Sequence, residues 1–351
     1  MKAVIFTSVK EPLHVEELPT PKPAEHEVLV KVAGCGICHT DIGFWRDGVP
    51  TKHARPLVLG HEISGTVVET SRYDNHLLNK EVIIPAVVPC MDCDLCRAGR
   101  GNICRYQLMP GNDIHGGFAE YIAVPDRGLC VVEAKSAYPL SELSVVADAV
   151  TTPYQAVVRS GLQGGEVAIV IGVGGVGGYA VQIAAAFGAR VIALDVDEER
   201  LALMSRHGAA AVFNVRTMDF KELKAEIQSR VKRWGAPQHR WKIFECSGTA
   251  AGQQTAFGLI NTAATLMIIG FTLDKTELRL SNLMAMDATV QGTWGCKAEL
   301  YPDALRLVTE GKIDLKPFVH TYPMSAGPKV LDDVAAHRIR HRAILVPDWQ
   351  P

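Results

Sequence analysis

The stretch VAIVIGVGGVGGYAVQIAAAFGA, Val167 to Ala189, carries no charged residue and is long enough to cross a bilayer as a helix. Six glycines interrupt it, five of them between Gly172 and Gly178. That is poor material for one continuous helix, because glycine gives the backbone freedom that a helix must remove. A strand, a glycine turn and a helix explain the run better. Gly172-x-Gly174-x-x-Gly177 follows directly on VAIVI and opens the apolar helix, and a second strand, RVIALDV, holds Asp195 about 20 residues further on. Such a turn leaves unpaired N–H groups at a helix N-terminus, where they and the helix dipole favour an anion. The spacing predicts a dinucleotide pyrophosphate against Gly172, Gly174, Gly175, Val176 and Gly177. Asp195 would accept from the adenosine ribose hydroxyls and repel a 2′-phosphate, favouring NAD over NADP. Arg200, five residues on, falls either beside the ribose or on an exposed helix face.

Around this unit the chain alternates buried-type strands (RVIALDV, WKIFECSG, TLMIIGF) with helical stretches (DEERLALMSRHG, DFKELKAEIQSRVKRWG), the pattern of a doubly wound parallel sheet. From Lys2 to about Leu129 the texture differs. Short β-type runs (KAVIF, EVLVKVAG, GTVVET, EVIIPAV, GFAEYIAV) alternate with Gly and Pro, which predicts a mainly antiparallel, barrel-like domain. The tail offers a helix, YPDALRLVTEGKI, and a last strand, RAILVP. The expected organisation is a first domain over 1–149, a dinucleotide domain over 150–292, and a return to the first over 293–351.

A net charge of −2 gives no electrostatic reason to expect nucleic acid, and the basic helix at Lys221 to Arg233 is interleaved with Glu222 and Glu226, as a solvated face would be. Charge at Lys10 and Glu11 comes too early for a secretory apolar region. Together with cysteine usage, this predicts a cytoplasmic protein with neither membrane nor nucleic acid as partner.

Four of the nine cysteines fall in CMDCDLCRAGRGNIC, with gaps of two, two and seven residues between Cys90, Cys93, Cys96 and Cys104. Two-residue gaps let successive thiolates converge on one ion, and the longer gap closes a lobe around it. Four thiolates without imidazole suit a closed, structural zinc site. An iron–sulfur cluster uses the same donors, but nothing else in the chain suggests electron transfer.

A second group of ligand types stands in GICHTD, with His61 and Glu62 in GHE further on. With the four-cysteine lobe, GVGGVG and the terminal HRAIL in the same order, the sequence resembles the zinc-dependent medium-chain alcohol dehydrogenases over essentially its whole length. The resemblance implies an α/β protein with a GroES-like β-barrel catalytic domain and a Rossmann domain, a homo-oligomer (dimer or tetramer) using NAD and two zinc ions per chain. By position, Cys38 and His61 match catalytic zinc ligands, and Glu62 the acid behind the metal. Asp41 matches the carboxylate that orients the histidine, and Thr40 the hydroxyl that receives the substrate proton. His39 and Arg342 match positions against the pyrophosphate, and Thr152 a threonine touching the nicotinamide.

Two positions depart from the family. Asp148, in DAVTTPY, stands where a cysteine is commonest; it is read as the third zinc ligand, or as the N-cap of the helix that follows. Gly43 replaces a histidine that passes the proton to solvent, leaving water or another group, such as His53, to do so.

The segments GYAVQIA, SVVADAVTTPYQAV, MPGNDIHGGFAEY, RWKIFECSGT, RLSNLMA and GTWGC resemble a branch of the family that oxidises a ring hydroxyl in a cyclic acyl-CoA. Arg46, Lys52, Arg55, Arg105 and Lys297 are the cations considered for the nucleotide phosphates, and Trp45 and Trp294 either wall an apolar pocket or belong to the core. A general secondary-alcohol or polyol dehydrogenase is the alternative. A zinc-free reductase or a non-catalytic relative would lack the full ligand set.

Overall fold

The computed structural model describes residues 1–71, 76–133 and 135–349. The chain forms two compact units, one of Met1–Thr151, Gly295–Thr309 and Leu315–Pro351, the other of Thr152–Trp294 and Glu310–Asp314.

The first unit opens with strands β1 (Lys2–Phe6), β2 (His14–Glu17) and β3 (Glu27–Gly36), then helix α1 (His39–Ile42), which runs into a π-helical turn at Gly43–Asp47. Strands β4 (Leu57–Val58), β5 (Glu62–Thr70) and β6 (Glu81–Ile84) follow, then α2 (Asp94–Arg97), β7 (Tyr121–Pro125) and β8 (Cys130–Val131). Alternation in β3 buries Val28, Val30 and Val32 while Lys31 points outward, so one face of the strand enters the core. That core is filled by Phe6, Trp45, Ile63 and Phe118 among others. Trp45 is buried there with its indole N–H donated to Glu11 O, which makes it core rather than pocket wall.

The second unit contains α3 (Thr151–Ser160) from Thr152 on, β9 (Val167–Ile171), α4 (Gly177–Ala186), β10 (Arg190–Asp195), α5 (Glu198–Arg206) and β11 (Ala209–Asn214). It continues with α6 (Phe220–Arg233), β12 (Lys242–Glu245), α7 (Ala250–Gly258), β13 (Thr265–Ile268), α8 (Ser281–Met286) and β14 (Thr289–Gly292). The six strands are all parallel, in the order β11-β10-β9-β12-β13-β14. This is the doubly wound arrangement, whose ligands bind beyond the carboxyl ends of the strands where the order reverses. The charge-free run from Val167 to Ala189 is thus divided between β9, the glycine turn and α4. Among the described residues no helix is long and apolar enough to cross a membrane. In α6 the residues Leu223, Ile227 and Val231, one turn apart, are buried and the charges face outward, as the solvated-face reading expects.

The chain then returns through α9 (Tyr301–Thr309), β15 (Val319–Pro323), α10 (Gly327–Ala335) and β16 (Arg342–Val346). β16 pairs β3, extending the first unit's larger sheet to the order β15-β16-β3-β5-β6-β8, with β7 also on β3; β2-β1-β4 form a smaller sheet. The short passage Glu310–Asp314 belongs with the second unit, where Asp314 exchanges two hydrogen bonds with the Gln182 side chain (2.8 and 3.2 Å).

Candidate active site and metal centres

Cys38, His61, Glu62 and Asp148 each bring a ligand atom within 4.8 Å of the others. Cys38 follows β3 and caps α1; Asp41 Oδ2 accepts its N–H at 2.9 Å. The other oxygen, Oδ1, accepts the N–H of Gly60 (3.1 Å) and faces His61 Nδ1 at 3.3 Å. Asp41 and His61 are both buried, so this carboxylate fixes the ring and turns Nε2 toward Asp148 Oδ2, 3.8 Å away. Asp148 Oδ2 and Thr40 Oγ1 each lie 3.7 Å from Cys38 Sγ. Burial pulls the His61 pKa down, but the Asp41 charge and hydrogen bonds to Asp148, Asp41 and Cys38 outweigh it and hold it well above the ordinary value. A thiol, an imidazole and a carboxylate converging in a buried site, in surroundings that favour positive charge, are a donor set that fits a zinc ion.

The structure answers the N-cap reading of Asp148. Helix α3 begins at Thr151, three residues later, while Asp148 ends the 3-10 turn Glu142–Ala147 and points its carboxylate at Cys38 and His61. Tyr301, which sequence reasoning passed over, holds this segment: its hydroxyl donates to Ala147 O (2.5 Å) and accepts the Ala86 N–H (3.1 Å). Only a preference for burying a tyrosine with its hydroxyl paired hints at this in sequence.

Glu62 is fully buried and pairs through Oε1 with Arg342. Burial pushes its pKa up to about 7 although the Arg342 charge opposes the rise. His39 shares α1 with Thr40, and its ring stacks on His337 at 5.9 Å. Gly43 has ordinary helical dihedrals (φ −57, ψ −44), and a Cβ there would meet nothing closer than Val49 Cγ2 at 3.6 Å. The backbone therefore does not require glycine at this position. His53 packs its ring against His115 at 4.7 Å.

In the lobe, Sγ–Sγ separations are 3.5 Å for Cys93–Cys96, 3.6 Å for Cys93–Cys104 and 3.9 Å for Cys90–Cys96. The N–H groups of Asp92 and Cys93 point at Cys90 Sγ, and those of Cys90 and Tyr106 at Cys104 Sγ. These N–H donors draw the Cys90 thiol down to about 6, while burial pushes Cys96 up to about 12. Four sulfurs at these separations fit one closed tetrahedral zinc.

In the second unit, Gly172 has φ +79, and a Cβ there would come within 2.5 Å of Ser247 Cα, so only glycine fits. Asp195 is buried at the end of β10; its Oδ2 accepts the Val173 N–H (2.7 Å), and Oδ1 accepts those of Val196 (2.7 Å) and Asp197 (3.0 Å). Arg200 Nη1 lies 3.7 Å from where a Cβ on Gly174 would stand, placing the guanidinium at the loop. The structure thus gathers Gly172, Gly174, Gly175, Val176, Gly177, Asp195 and Arg200 at the carboxyl end of β9 and β10, with Thr152 in the first turn of α3. In the first unit it gathers Cys38, Thr40, Asp41, His61, Glu62, Asp148 and Arg342.

Comparison with known proteins agrees with both halves. Residues 24–134 match the alcohol dehydrogenase GroES-like domain, and residues 175–310 the zinc-binding dehydrogenase domain. An alcohol dehydrogenase of Geobacillus stearothermophilus is 30% identical over 99% of this chain and 100% of its own. Galactitol-1-phosphate dehydrogenase from Escherichia coli superposes with a TM-score of 0.87 at 26% identity, covering 99% of this chain and 100% of that one. A zinc-binding dehydrogenase of Sinorhizobium meliloti 1021, bound to NADP, gives 0.86 at 27% identity and 99% coverage of both chains. Fold and site define a zinc-dependent oxidoreductase acting on CH–OH groups with a nicotinamide dinucleotide. The chain belongs to the zinc-dependent medium-chain alcohol dehydrogenase family.

Proposed function

We propose that this dehydrogenase uses NAD to oxidise the ring hydroxyl of 6-hydroxycyclohex-1-ene-1-carbonyl-CoA to the 6-oxo product, in anaerobic benzoyl-CoA degradation. The observation that carries the catalytic part is the convergence of Cys38, His61 and Asp148, with Asp41 behind His61. Zinc held there supplies Lewis acidity to the substrate oxygen, and NAD accepts the hydride. Thr40, 3.7 Å from Cys38 Sγ, takes the proton of the alcohol and passes it toward solvent. Asp41 keeps the His61 ring in one orientation, and Glu62, restrained by Arg342, supplies a buried carboxyl whose charge is set by that pair. Asp195 accepts from the adenosine ribose; its two oxygens already take three N–H donors, and Oδ2 retains a lone pair for a hydroxyl.

The acyl-CoA substrate is supported by the six sequence segments that resemble that branch of the family. Of the cations considered for its phosphates, Arg46 and Lys52 are engaged by Asp332 and Asp113, whereas Arg105 is exposed. The conjugated enone product is also open to water addition at the same site; incubating it with enzyme and finding no hydrated adduct removes that activity. A homo-oligomer is supported by β14, an edge strand with exposed Val290, preceded by α8 and its exposed Met284. Cysteines grouped for metal binding rather than paired as disulfides support a cytoplasmic setting.

The test is NADH absorbance with the CoA thioester against free cyclohex-2-en-1-ol. A strong preference for the thioester is expected. Equal turnover of the free alcohol discards the CoA substrate and leaves a general secondary-alcohol or polyol dehydrogenase, the reading that the galactitol-1-phosphate enzyme's similarity favours.

A further inference from the structure

Glu245 ends β12, the strand next to β9 in the sheet, and its carboxyl is fully buried. Oε1 accepts the N–H (2.8 Å) and the hydroxyl (2.5 Å) of Ser247. Oε2 has no hydrogen-bond partner among the described residues. Ser247 Oγ lies 3.0 Å from Thr249 Oγ1, which caps α7 by accepting the Gly252 N–H. The carboxyl fills the space left by two absent side chains: a Cβ on Gly252 would stand 3.0 Å from Oε1, and one on Gly270 2.9 Å from Oε2. The turn held in this way is the surface on which the phosphate loop rests. A Cβ on Gly172 would come within 2.5 Å of Ser247 Cα, and one on Gly177 within 3.1 Å of Cys246 Cβ.

We propose that Glu245 is a positioning residue for the dinucleotide, acting through Ser247 on Gly172, and that it does so uncharged. The inference rests on the dinucleotide reading of the glycine loop. A buried carboxylate with one oxygen unpaired is costly, and a negative charge behind the loop opposes that of the pyrophosphate. Burial pushes the Glu245 pKa up, against the lowering effect of the Ser247 hydrogen bonds and of the nearby Gly248 N–H. The next residue, Cys246, offers a thiol, itself pushed up by burial and by Glu245. From α7 it meets Gly252 and from the turn after β13 Gly270, while Thr249 meets its partner Ser247. Beside the glycine loop the neighbouring charges are Asp195, which takes the Val173 N–H, and Arg200, whose guanidinium lies at Gly174. Raising the pH through the folded pKa of Glu245 therefore places a charge beneath the loop and weakens the cofactor's hold.

The dissociation constant of NAD, measured calorimetrically on zinc-replete wild type, Glu245→Gln and Glu245→Ala from pH 5 to 9, tests this. Glu245→Ala is expected to bind NAD about tenfold more weakly, with metal content and the KM for alcohol unchanged. Glu245→Gln is expected to bind like wild type at low pH and to keep its affinity as the pH rises, where wild type loses it. Wild-type affinity in Glu245→Ala, or a wild-type pH dependence in Glu245→Gln, overturns the proposal. A wild type that binds neither NAD nor NADP overturns the dinucleotide reading instead. If circular dichroism shows Glu245→Ala unfolded, the pH comparison with Glu245→Gln decides alone.

Discussion

Arg342, at the start of the last strand, donates to the carboxylate of Glu62, a fully buried residue that precedes it by 280 positions. The pair ties the last strand to His61 through the next residue. Replacing Arg342 by Leu leaves a buried acid without its cation, a change that costs about 3–5 kcal/mol. The urea midpoint should fall accordingly. Arg342→Lys, which keeps the charge, should recover part of the loss.

Asp148 and Asp41 should separate ligand from support. Asp148→Ala should reduce zinc from two to one per chain by elemental analysis and lower kcat/KM by more than about 100-fold, while Asp148→Cys should keep both ions. Asp41→Asn should retain the ligands but weaken metal affinity by about 10–100-fold, read by competition with a chelator. Two zincs remaining in Asp148→Ala would remove that residue from the site.

Gly43 has room for a side chain and helical dihedrals, so Gly43→His should fold as wild type. Its pH–rate profile should gain a limb near the ordinary histidine pKa of about 6.5. His53→Ala should change the wild-type profile only if His53 carries the proton, and an unchanged profile excludes it.

Asp195 should govern the choice of cofactor. Asp195→Ala loses the carboxylate that accepts from the ribose hydroxyls, worth about 10–100-fold in kcat/KM with NAD. Turnover with NADP should rise relative to NAD because the repulsion of a 2′-phosphate is gone. Steady-state kinetics with both cofactors reads the ratio.

Glu245 also makes stability depend on pH. Its folded pKa is raised above the unfolded value of about 4.3. The native state therefore keeps a proton that the unfolded chain releases, and stability falls wherever the unfolded state binds fewer protons. The contribution is complete below the unfolded pKa and is lost as pH rises through the folded one. Calorimetric melting should show wild type losing stability relative to Glu245→Gln over that rise, and parallel curves would contradict it.

What could be read from sequence depended on how locally each feature is encoded. The glycine turn after VAIVI and the four-cysteine lobe are complete within a few dozen residues, and each has a spacing that chemistry restricts. Strands β2, β4, β8, β11 and β15 escaped notice. β2 is exposed along most of its length, β4 has two residues, and β11 begins with three alanines, so none shows a clean alternation. Trp45 could not be assigned between pocket and core from sequence, because an aromatic suits either until its neighbours are known.

By itself, the sequence determined the strand–glycine–helix unit with its acid and the cysteine lobe, because their donors lie close along the chain. Only the tertiary structure decided that Asp148 faces Cys38 and His61 instead of capping α3, that Tyr301 pins the segment leading to it, and that Arg342 is bound to Glu62. Each of these is a contact across 87 to 280 positions of chain, created when separate strands and turns pack into one core, and no local spacing encodes it.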